Sequence, residues 1–68
     1  MKSKVLLTIG SNIKKLRKAK GMTQDELAEK IDVHSTTIGR TEIGSINISV
    51  LKLEKIANAL NVEVKDLL

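Results

Sequence analysis

The chain has 68 residues, no cysteine and one histidine, and its twelve basic and eight acidic side chains leave a net charge of +4. That length sets a single small domain, burying about 60% of the surface its unfolded form exposes. Disulfides, thiolate metal sites and multi-histidine metal sites are excluded. No apolar run approaches the length needed to cross a bilayer and no signal-peptide pattern is present, so the chain reads as soluble and cytoplasmic.

The charge is unevenly placed. Lys2, Lys4, Lys14, Lys15, Arg17, Lys18 and Lys20 put seven basic groups and no acid in the first twenty residues, and the rest of the chain is net acidic. One basic face suits a polyanion, although lysines also merely solvate helices. The complete absence of Phe, Tyr and Trp argues against single-strand and common RNA binders, which stack bases on aromatic rings, and leaves duplex DNA ahead.

In chain order, Ile9, Ile13 and Leu16 recur on one helical face and predict a first helix over roughly 8–19, stopped by Gly21. Residues 1–7 either extend it or form an arm. Thr23-Gln24-Asp25-Glu26 is a capping box that opens a second helix with Leu27, Ala28 and Ile31 inward. Asp32 takes the turn, where aspartate tolerates a positive φ. A third helix over about 34–42 has Val33 and Ile38 as its apolar anchors and is otherwise polar, with Gly39 inside it at a cost of about 1 kcal/mol. Ser49 is the expected N-cap of a fourth helix whose stripe is Val50, Leu53, Ile56, Ala57 and Leu60, with Asn61 as its C-cap. A short amphipathic turn bearing Val64, Leu67 and Leu68 closes the chain. Five helices and no strand are expected.

The TQDELAEKI helix, the Asp32-Val33 turn, Ile38, the Arg40-x-Glu42-x-Gly44 run and LEKIANALNV together resemble the phage repressor/Cro-type helix-turn-helix family over residues 9–68. Within it, the NIS run followed by LEKIANAL is most similar to controller proteins of restriction–modification systems. The resemblance implies an all-α, compact five-helix lambda-repressor-like domain in which helix 3 enters the major groove and helix 2 lies across the backbone. By motif position Ser35, Thr36 and Arg40 would face base edges, with His34 close to the groove. Gln24, Thr37 and Asn47 would contact phosphates. Arg17 and Glu42 correspond to a family salt bridge joining helix 1 to the end of helix 3. Three departures stand out: Thr41 where an apolar residue is usual, which weakens packing, and Ile43 and Ile46 where basic residues commonly meet phosphate.

Two functions follow as expectations. The first is a sequence-specific transcriptional regulator, repressor or activator, acting on duplex DNA as a homodimer at an inverted repeat, with Val64, Leu67 and Leu68 as interface candidates. The alternative is a protein-interaction module on the same fold, an antitoxin or anti-regulator, motivated by Ile43 and Ile46. His34 beside Ser35 lacks an orienting third group and an oxyanion-hole motif, so no enzyme is expected. Neither a cofactor nor a small-molecule ligand is expected, and the basic first helix has a better use for its apolar stripe than a membrane surface.

Overall fold

The computed structural model describes residues 3–68; Met1 and Lys2, the start of the stretch expected to be an arm or a helix extension, lie outside the described residues. Four α-helices follow in order, α1 (Lys4–Ala19), α2 (Gln24–Lys30), α3 (Ser35–Glu42) and α4 (Val50–Ala59), and then a 3-10 helix (Val64–Leu67). The all-α class with a helix-turn-helix holds. The fifth α-helix does not: the last element is one 3-10 turn, with the Asp66 amide bonded to the Glu63 carbonyl at 2.9 Å. Pieces this short close by i→i+3 bonds.

Each boundary has a local cause. Ser3 caps α1 by accepting from the Leu6 amide, which starts that helix four residues earlier than its apolar stripe implies. Thr23 and Glu26 complete the capping box of α2, at 2.9 and 3.1 Å. Ser49 caps α4 by accepting from the Lys52 amide at 3.1 Å. The exits share one device. The residue just past each C-cap (Gly21, Asp32, Gly44, Asn61) has φ of 69°, 57°, 71° and 59°. The amide that follows turns back onto the helix, as Met22 to Arg17, Val33 to Ala28, Ser45 to Arg40 and Val62 to Ala57. This double-bonded left-handed cap satisfies carbonyls that a helix end otherwise leaves orphaned. Asn61 therefore sits one position beyond the C-cap, which is Leu60.

One cluster forms the core, with Ile13, Leu27, Ile38, Ile56, Leu60 and Leu67 fully buried. Leu16 and Val33 are half-buried against it. Val50 departs from the expected α4 stripe: at the first turn of that helix it is 74% exposed, whereas Leu53, Ile56 and Ala57 are enclosed. No helix among the described residues is long and apolar enough to cross a membrane.

Candidate nucleic-acid interface

The second helix of the motif is held chiefly by backbone and buried charge. Of its eight residues only Ile38, Thr41 and Glu42 are buried. At its C-terminal end α1 crosses so closely that a Cβ on Gly10 would lie 2.3 Å from the Thr41 carbonyl oxygen and 2.6 Å from that of Glu42. No side chain fits there. Gly10 escaped the sequence reading, yet a glycine on the apolar face of an otherwise good helix is the signal for such a crossing. Gly44 is bound twice over: its φ is positive, and a Cβ would meet Leu7 at 2.9 Å.

Arg17 and Glu42 form the second clamp. The guanidinium donates from Nε to Oε2 at 2.6 Å and from Nη2 to Oε1 at 3.1 Å, and from Nη1 to the Met22 carbonyl at 2.7 Å. Both residues are buried, and the carboxylate bond raises the arginine pKa above its ordinary value against the opposing pull of burial. Gln24 joins them, its Nε2 donating to Glu42 Oε1 at 2.9 Å. The network thus spans α1, α2 and α3. Gln24 was expected only as a phosphate contact; one of its two N–H bonds is spent inward and the other remains. Thr41 also departs from expectation. It is buried, and its hydroxyl donates to the Thr37 carbonyl at 2.7 Å, so the polar atom enters the interior already bonded.

The outer face of α3 is what these clamps present. Thr36 and Arg40, four residues apart on one helical face, are both exposed, with Ser35 and Thr37 half-buried at its edges. Among the described residues no hydrogen bond or ion pair engages the exposed Arg40 side chain, so its planar set of donors is unspent there. His34 is the N-cap of α3; its side chain makes no capping bond and is exposed. Asn47 is exposed in the loop before α4. Ile43 is 56% exposed, and Ile46 is half-buried.

The interface candidates at the C-terminus divide. Leu67 is fully enclosed in the core and cannot meet a second subunit; the Asn12 side chain donates to its carbonyl at 2.9 Å and ties it to α1. Val64 is half-buried. Leu68 is 64% exposed and lines a shallow cavity of about 270 Å³ with Lys4, Val5, Thr8 and Ile9. Among the described residues no group of three or more His, Cys, Asp or Glu side chains converges where a metal could bind.

Comparison with known proteins agrees with this geometry. The helix-turn-helix family model matches residues 13–67, and the chain belongs to that family. It is 39% identical over 69 residues to the control protein C.BamHI of Bacillus amyloliquefaciens, covering 100% of this chain and 85% of that one. The restriction-modification controller protein C.AhdI from Aeromonas hydrophila superposes with a TM-score of 0.89 at 33% identity, over 93% of this chain and 96% of that one. The controller protein C.Esp1396I, solved as a tetramer in complex with its natural 35 base-pair operator, gives a TM-score of 0.83 at 34% identity, over 96% of each chain.

Proposed function

We propose that this protein is a sequence-specific, duplex-DNA-binding transcriptional regulator of the controller type, acting as a homodimer on an inverted repeat. The observation that carries the reading is the exposed Thr36–Arg40 face of α3, whose side chains have no polar partner among the described residues while buried clamps fix the helix from behind. In this reading Arg40 reads guanine through O6 and N7, and Ser35 and Thr36 contribute weaker base contacts. Gln24, Thr37 and Asn47 meet phosphates, Gln24 through the N–H that Glu42 leaves free. That an operator complex exists for the similar C.Esp1396I supports the same mode here.

A single short helix reads too few base pairs for specificity, and a two-fold dimer presents two such helices about one DNA turn apart. Leu68, together with Val5 beside it, and Val64 are the apolar groups left for the subunit contact once Leu67 is assigned to the core. The test is selection from a random duplex library, followed by titration of the enriched duplex at two salt concentrations. An inverted repeat with half-sites about ten base pairs apart is expected; salt-sensitive binding with no enriched sequence would refute the reading.

The exposure of Ile43 favours a second reading, a protein partner for this face. The Ile43→Lys, Ile46→Lys double variant separates the two. It tightens binding to DNA if the face meets phosphates, and abolishes complex formation if the face meets a protein.

A further inference from the structure

We propose that His34 is a proton-dependent phosphate contact, so that operator affinity weakens as pH rises through neutrality. This inference rests on the DNA-binding reading above and adds a regulatory property to it.

Imidazole is the side chain whose charge changes between pH 5 and 8, and His34 is the only one in the chain. It stands at the entry of α3, exposed, its carbonyl accepting from the Thr37 amide and its side chain making no hydrogen bond or ion pair to any described residue. The charged groups around it are of mixed sign. Lys30 and Asp32 precede it at the end of α2 and in the turn, and Lys55 of α4 lines one cavity with both. On α3 itself no charge precedes Arg40, and Glu42 is committed to Arg17 and Gln24. None of these groups forms an ion pair with the ring.

His34, extended at φ −75° and ψ 147°, is the N-cap and stands immediately ahead of the helix that carries Thr36 and Arg40. On the DNA-binding reading it stands at the edge of the face those two residues present, beside the wall of the groove they enter. A neutral imidazole offers such a wall one donor; the imidazolium offers two and a charge, and its complement is a phosphate oxygen. Ser3, Thr23 and Ser49 each spend an oxygen capping their helices, and His34 does not, so its ring is free for an outside acceptor. DNA then favours the protonated ring, and binding takes up a proton.

The experiment is fluorescence anisotropy with the dye-labelled duplex enriched in the selection, at constant ionic strength between pH 6 and pH 8. Circular dichroism over the same range establishes that the fold is unchanged. If the phosphate raises each imidazole pKa by about one unit, each subunit contributes a factor of up to about ten, and the dimer's affinity falls by up to about a hundredfold from pH 6 to pH 8. His34→Gln is expected to be flat with pH and to match the wild type at pH 8. His34→Lys, charged throughout, is expected to be flat and to match the wild type at pH 6. A pH-independent wild type, or a slope that survives in His34→Gln, overturns the proposal. Failure of the wild type to bind any duplex at either pH instead removes the DNA-binding reading, and this inference with it.

Discussion

Glu42→Ala is the sharpest test of how the recognition helix is held. The substitution removes both acceptors of the Arg17 fork and leaves an arginine that is 6% exposed with only the Met22 carbonyl to bind. Breaking a buried pair from one side costs about 3–5 kcal/mol, because the remaining charge stays desolvated. A domain of 68 residues has about 3–10 kcal/mol of stability in all. The variant should therefore lose between about a third and all of its stability. With a urea slope near 1 kcal/mol per molar, the midpoint falls by about 3 M or the protein is unfolded without denaturant. The chain has no Trp, Tyr or Phe, so unfolding is followed by far-UV circular dichroism, at fixed protomer concentration because association shifts apparent stability.

The companion is the double variant Arg17→Met, Glu42→Leu, which removes both charges and keeps the volume. Such replacements are often neutral or stabilising by about 1–4 kcal/mol. Gln24 loses its acceptor but is only half-buried and can rehydrate. A midpoint shift below about 0.5 M for Glu42→Ala would refute the argument from stranded charge. So would a double variant as damaged as the single.

Three further outcomes are expected. Gly10→Ala forces a methyl into the Thr41 and Glu42 carbonyls and should cost about 1–3 kcal/mol in urea unfolding, opposite in sign to the gain Ala usually brings to a helix. Arg40→Ala should leave thermal stability unchanged while flattening base preference at one position of each half-site by about 1–3 kcal/mol, read by competition binding with single-base variants of the enriched duplex. Glu26 is held below its ordinary pKa by the Thr23 amide first and the Thr23 hydroxyl second. Its contribution is therefore present above the ordinary glutamate value and lost as pH falls through the depressed one. Acid unfolding of Glu26→Gln, whose amide retains the capping bond, should lack that component.

Much of this molecule was legible in its sequence because the signals were local. Thr23 and Glu26 announce a capping box, Gly21 and Asp32 announce left-handed turns, and Ile9, Ile13 and Leu16 mark a face. What escaped depends on contacts between distant residues. Gly10 matters only because α3 arrives 31 positions later, and Leu67 is core and not surface only because the final turn folds under α1. Gln24 was assigned outward from its motif position, while Glu42 draws half of its amide inward. Val50 fits the period of its helix, yet at the first residue of α4 it lies exposed while Leu53 of the same turn is enclosed. Periodicity names a face without saying how far along it the neighbours reach.

The way α3 is held bears on how its specificity can change. A helix that docks through several apolar side chains surrenders those positions to packing. This one docks through Ile38, the Glu42 carboxylate and two backbone carbonyls that abut Gly10, which leaves Thr36 and Arg40 outside the stabilising contacts. Exposed positions away from such contacts change stability by about 0.5 kcal/mol or less when substituted. A library varied at Thr36 and Arg40 should therefore stay folded almost throughout while its preferred duplexes diverge. Clustered unfolding within that library would mean that the outer face carries stability after all. Readout and fold would then be coupled, and the clamps at Gly10 and Arg17 would not suffice to hold the helix.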